Sequence, residues 1–145
     1  MATPGDELHN PFTGQTITFV EAQPDVLLLE SSYRAGAPPA PSHLHPAQDE
    51  RFEVLSGAVR AVVGAQERIL RIGDTLTVPA GTPHEFGGAA DQDGRVRWET
   101  RPPLRTAEFL ETVFGLANGT VSPKSGAPGV LDEFAAEFRL TAGET

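Results

Sequence analysis

The chain of 145 residues contains no cysteine. Disulfides, thiolate metal ligands and a cysteine nucleophile are therefore excluded. Positive charge is also scarce: 11 Lys and Arg stand against 20 Asp and Glu, giving a formal net charge of -9. A nucleic-acid binder displaces counterions with a basic patch, and none is visible; the acidity reads as a solubilising surface. No apolar run approaches the length of a membrane span, and the opening Met1-Ala2-Thr3-Pro4-Gly5-Asp6-Glu7 has neither the basic nor the apolar region of a secretion signal. The expectation is a soluble, cytoplasmic protein with no nucleic-acid or membrane partner. Internal repeats and low-complexity blocks are missing too. No serine or lysine pattern marks a nucleophile. The turns at Gly64-Ala65-Gln66, Gly73-Asp74-Thr75 and Gly87-Gly88 lack the contexts of a P-loop or a dinucleotide fingerprint.

Proline and glycine, by contrast, are plentiful, at 13 and 15 residues. Many short strands joined by turns are favoured over a helical bundle. Residues 1–15 read as an N-terminal arm, 16–102 as a single β-barrel and 103–145 as a helical extension. Strand candidates are Thr16–Glu21, Val26–Ser32, the segment around His43 and His45, Arg51–Leu55, Ala58–Val63, Glu67–Leu70, Thr75–Val78, His84–Phe86 and Val96–Thr100. After Pro102-Pro103 the period changes. Phe109, Leu110, Val113, Phe114 and Ala117 recur at helical spacing, with Thr106 as N-cap and Asn118-Gly119 as the stop. A second stripe, Val130, Leu131, Phe134, Ala135 and Phe138, starts after Pro128. Such stripes serve as core packing by default; a lid over a pocket or a homodimer interface is the sharper reading.

Two stretches carry the chemistry. The first is His43-Leu44-His45-Pro46-Ala47-Gln48-Asp49-Glu50, closed by Gly57; the second runs from Gly73 through Pro79 and Gly81 to His84. Imidazoles two residues apart on a strand project from one face. If neighbouring strands bring them together, His43, His45, Glu50 and His84 can meet on one divalent ion. Three neutral imidazoles and one carboxylate suit iron, manganese, nickel, cobalt, copper or zinc, whereas calcium and magnesium want more oxygen ligands. Alternation places Phe52, Val54, Val78, Phe86 and Trp98 around the same interior, which predicts a mostly apolar substrate pocket for a small hydrophobic or aromatic molecule. His9, Asp49 and Glu53 read as surface groups, Asp49 being also a candidate partner to a ligand. Tyr33, the single tyrosine, is a candidate proton donor.

These stretches resemble the cupin family, whose motifs read G-x5-H-x-H-x3,4-E-x6-G and G-x5-P-x-G-x2-H-x3-N. His43, His45, Glu50 and Gly57 match the first motif, with Gly36 one residue further from His43 than the strict spacing. Gly73, Pro79, Gly81 and His84 match the second, and Gly88 stands where the family has asparagine. The match spans Gly36 to Gly88, about a third of the chain. The resemblance, closest to small single-domain bacterial cupins, implies an all-β double-stranded β-helix (a jelly-roll barrel) followed by two C-terminal α-helices. It also implies an oxygenase similar to germin-like and quercetinase-like cupins. A Lewis-acid enzyme similar to cupin polyketide cyclases or isomerases is the rival, and a non-enzymatic small-molecule-binding domain the third reading. A homodimer is the expected assembly.

Overall fold

A long strand passing through both sheets of a β-barrel organises the molecule. The structure, a computed structural model, describes residues 3–39, 41–119 and 126–141, with the backbone alone for 126–129. Parts of three expected segments lie outside that description: residues 1–2 of the arm, residue 40 of the proline-rich loop, and residues 120–125 and 142–145 of the extension.

The strands are β1 (Glu7–His9), β2 (Thr16–Ala22), β3 (Leu27–Tyr33), β4 (His43–Leu44), β5 (Asp49–Val63), β6 (Gln66–Arg71), β7 (Thr75–Val78), β8 (His84–Gly88), β9 (Gly94–Arg101) and β10 (Arg139–Leu140). The first half of β5 pairs antiparallel with β7 and β9, and its second half with β6 and β8. One sheet then continues from β9 through β3 and β2 to β1, the other from β8 through β4 to β10. The sequence divides β5 at Gly57, but the strand runs on. Its register shifts between Val54 and Ser56, and Gly57 takes a φ of 65°. A Cβ at Gly57 would overlap the Asp93 carbonyl oxygen, so only glycine lets the two strands cross so closely.

Period-2 burial is plain along these strands. Glu50, Phe52 and Val54 point inward between exposed or half-buried neighbours, and Val96, Trp98 and Thr100 alternate with outward Arg95, Arg97 and Arg101. Ile17, Phe19, Leu27, Leu29, Val54, Val59 and Val96 form the dry centre of the core, each worth about 1.5–3 kcal/mol in transfer from water.

Two helices follow, α1 (Thr106–Asn118) and α2 (Gly126–Glu133). Gly119 ends α1 at φ 75° with its N–H on Gly115 and Leu116 carbonyls, the expected stop. Thr106 is not the N-cap. Arg105 holds that position, its N–H donating to Glu137 Oε2 at 3.1 Å, while Thr106 Oγ1 accepts from the buried Gln48 amide at 2.8 Å. The partner of the helix terminus thus comes from tertiary contact and not from the local side chain. Helix α2 begins before Pro128, which its first turn tolerates, and it stops at Glu133, so Phe134 sits on the turn beyond it and Phe138 directly before β10. Part of the N-terminal arm is paired as well: β1 lies antiparallel on β2.

Candidate metal centre

The strand ladder brings the four sequence-predicted residues to one point. His43 faces His84 directly across the β4–β8 pair. His45 follows two residues later on the same face. Glu50 is the second residue of β5, with Thr100 and Val78 as its ladder neighbours. The turn before His84 is tied down by the Gly81 N–H on the His45 carbonyl (2.8 Å) and by the Ala80 N–H on Asp49 Oδ1 (2.8 Å). Asp49 is therefore an exposed brace on that turn and does not touch a ligand side chain.

All four side chains are buried, at 2–8% exposure. The ligand atoms of His43, His45 and His84 lie within 4.8 Å of one another, so the triad can hold a metal ion. Glu50 Oε1 stands 3.1 Å from His45 Nε2 and 3.0 Å from His84 Nε2. Each imidazole spends its other nitrogen on a backbone carbonyl: His43 Nδ1 on Pro41 O (2.7 Å), His45 Nδ1 on Glu137 O (2.7 Å) and His84 Nδ1 on Thr82 O (2.9 Å). A carbonyl only accepts, so each Nδ1 carries the hydrogen and each neutral ring presents its Nε2 lone pair. Three lone pairs and a carboxylate then converge with no donor among them. His45 Nε2 and Glu50 Oε1, though 3.1 Å apart, do not meet in hydrogen-bonding geometry, and both are buried without a partner. Orphaned acceptors of this kind, each ring oriented by a carbonyl, are what a cation requires. The donor set fits a divalent transition metal.

The electrostatics agree. Burial, with His84 and His45 adding to it, pushes His43 down to about 4, so it is a neutral ligand at physiological pH. Burial works against ionisation of Glu50, yet His45 and His84 overcome it and hold the carboxyl at about 2. Burial likewise opposes charge on His45, but the Glu50 carboxylate outweighs it and raises that ring above its ordinary value. Trp98 Nε1 donates to the other Glu50 oxygen, Oε2, at 2.9 Å.

A cavity of about 300 Å³ opens onto this cluster. Of the expected pocket residues, Phe52, Phe86 and Trp98 line it, with Phe52 stacked on Phe86 at 4.2 Å between ring centroids. Val54 and Val78 are buried in the core and, among the described residues, do not reach the wall. Val54 lies further along β5, beyond Glu50 and Phe52, where the interior is filled. Sequence reasoning left out Gln15 and Arg34 as wall residues. The stripe of α1, for which core packing was the default and a lid over the pocket one of the sharper readings, lines the cavity with Phe109, Leu110, Val113 and Phe114. Phe138 stacks on His43 (4.5 Å, 22°) and on Phe109 (4.8 Å). Tyr33 lines the same wall, 5.4 Å from Phe86. Burial pushes its hydroxyl well above the ordinary value, against hydrogen bonds with Ser31 and Gln15, so it keeps its proton. His9 is exposed, its Nδ1 3.0 Å from Thr16 Oγ1, and Glu53 is half-buried between Phe52 and Val54.

With fold and cluster in view, residues 30–98 match the family model of the cupin domain. Among solved structures, KdgF from Halomonas sp. is 25% identical with a TM-score of 0.57, over 61% of this chain and 79% of its own. The DMSP lyase DddQ from Ruegeria pomeroyi DSS-3 is 26% identical with a TM-score of 0.51, over 57% of this chain and 41% of its own. An RmlC-like cupin from Shewanella frigidimarina, 17% identical with a TM-score of 0.61 over 70% of this chain and 87% of its own, shares the fold. No curated protein is significantly similar. The chain carries a cupin domain, and its fold is the all-β cupin jelly roll with two helices after the barrel. Among the described residues no helix is long and apolar enough to cross a membrane.

Proposed function

We propose that the protein is a mononuclear metal-dependent enzyme. His43, His45, Glu50 and His84 hold one divalent transition-metal ion (iron, manganese, nickel, cobalt, copper or zinc), and the adjoining cavity takes a small hydrophobic or aromatic substrate. The observation that carries this reading is the convergence of three carbonyl-oriented imidazoles and an ionised, buried Glu50 at the wall of an apolar cavity. Bound there, a redox-active ion supplies oxygenase chemistry, the first reading, and a redox-inert one supplies Lewis-acid polarisation, the second. The chain's own groups serve either. Phe52, Phe86, Phe109 and Phe138 exclude water from the cluster, Trp98 fixes Glu50, and Tyr33 holds a proton inside the cavity. The protonated Tyr33 and the likeness to a lyase favour the second reading specifically, since a proton donor beside a Lewis acid suits elimination or isomerisation. A homodimer remains an expectation from exposed sheet edges, because the apolar stripe of α1 is already buried against the cavity.

Elemental analysis of protein purified from its native host tests the reading. Stoichiometric iron, manganese, nickel or copper with substrate-dependent oxygen uptake supports the oxygenase. Zinc with undiminished anaerobic turnover supports the Lewis-acid enzyme. A protein that takes up no divalent ion overturns both.

A further inference from the structure

One cation on the cavity wall is left without an anion. Among the described residues five of the ten arginines form ion pairs: Arg51 and Arg101 with Glu99, Arg60 with Glu67 and Glu85, Arg95 with Glu30, Arg105 with Glu108 and Glu133. Arg34 is exposed, which puts it at the rim of the cavity it lines, and among the described residues its guanidinium has no ion pair or hydrogen bond. Apart from the histidines it is the one cationic side chain on the described wall.

Its position is built. Gly14, at φ 78°, ends the turn that begins at Asn10, where the Gly14 N–H donates to Asn10 O at 2.8 Å. A Cβ on Gly14 would come within 2.6–2.8 Å of the guanidinium carbon and two of its nitrogens, so the guanidinium rests on the bare glycine backbone. The root of the side chain is fixed as well. Gly88 passes so close to the Arg34 carbonyl oxygen that a Cβ there would overlap it. This is the position where the cupin motif has asparagine, and the exchange to glycine is what lets Arg34 approach. The wall thus offers a metal-ligand cluster, an aromatic body and a seated, unpaired guanidinium.

We infer that the substrate is an amphiphilic anion, an apolar or aromatic body bearing a carboxylate, and that Arg34 is the residue that selects for the charge. The inference rests on the cavity being the substrate site. A guanidinium grips a carboxylate with two parallel hydrogen bonds, and in a chain of net charge -9 the rim arginine is, the metal-ligand cluster apart, the one cationic group on the described wall to draw an anion in.

Trp98, the single tryptophan of the chain, lines the cavity, so its fluorescence reports occupancy. The probes are 3-phenylpropionate and 3-phenylpropanamide, alike in shape and differing in charge, titrated into metal-free and zinc-loaded protein. The carboxylate should bind about tenfold more tightly than the amide in both forms. In metal-free protein Arg34→Gln should abolish that preference and leave amide affinity unchanged, Arg34→Lys should retain part of it, and added salt should shrink it. A preference that survives Arg34→Gln, an equal affinity for the two probes, or no response to either overturns the inference. Metal content, measured separately, distinguishes the two readings. Arg34-dependent selection in a chain that takes up no metal sinks the metal assignment alone, and zinc loading without that selection sinks this one alone.

Discussion

His43 and His84 are oriented by their own chain, each through the carbonyl two residues earlier, whereas His45 is oriented by Glu137, 92 residues away. The difference divides the site into two regions. The barrel supplies every candidate ligand and two self-oriented rings. The C-terminal segment supplies the carbonyl behind His45, the ring of Phe138 on His43, and β10, which pairs with β4 beside His43. The same Glu137 caps α1 through its carboxylate. One residue therefore couples the helix that closes the cavity to the ring that faces Glu50.

The largest effect should come from the barrel region. Replacing His84 or His43 by alanine should weaken metal binding by more than about a hundredfold, beyond the range typical of outer partners, read by competition with a chelator. The clasp should come next. A chain ended at Ala136 loses the Glu137 carbonyl and Phe138, and its metal affinity should fall about ten- to hundredfold; Phe138→Ala, which keeps the carbonyl, should lose less. A truncated chain that melts normally and binds metal as tightly as the full one would show that His45 orients itself, and the comparison would collapse.

The same division explains what could be read from the sequence. The four candidate ligands belong to two short stretches whose spacing fixes their face, so the meeting of His43, His45, Glu50 and His84 was legible without the structure. Inward Phe52, Phe86 and Trp98 followed from alternation. Val54 and Val78 did not reach the wall, because alternation gives the face of a residue but not its depth along the barrel. The carbonyl of Glu137 was invisible for a different reason: every residue has one, and nothing in a side chain marks the one that will meet His45. The seat of Arg34 was hidden likewise, although its trace was present. Gly88 in place of asparagine marked a close approach, but not of what.

Acid should break the barrel region in a defined order. In metal-free protein the His45 pKa is raised, so a proton occupies its Nε2 below that value and must leave when metal binds. Metal affinity should therefore fall about tenfold per pH unit as pH drops below the His45 value. His43, at about 4, adds a second proton only in stronger acid, and Glu50, at about 2, stays ionised throughout. Chelator competition between pH 5 and 8 reads the slope. An affinity flat across that window would mean that Glu50 does not hold a proton on His45.

The smallest effect sharpens the comparison most. Trp98 supports Glu50 from 48 residues away, as distant in kind as Glu137 is from His45, but it stands in the middle of β9, across from Phe52 and two ladder positions from Glu50. Trp98→Phe keeps a ring in the wall and removes only the N–H, leaving Oε2 buried without its donor. The loss is about 1–3 kcal/mol of stability in metal-free protein, seen in the melting temperature. In loaded protein the penalty should shrink, since Glu50 is still held in β5 between Thr100 and Val78, and a bound cation offsets the missing donor. Metal affinity should fall by about tenfold at most, the low end of the range for outer partners. Distance along the chain is then not what makes an orienting group important. A partner carried by the ladder leaves its ligand in place when it is lost, and a partner carried by the clasp does not. A Trp98→Phe protein that loses metal as severely as the truncated chain would put both regions on an equal footing and remove that distinction.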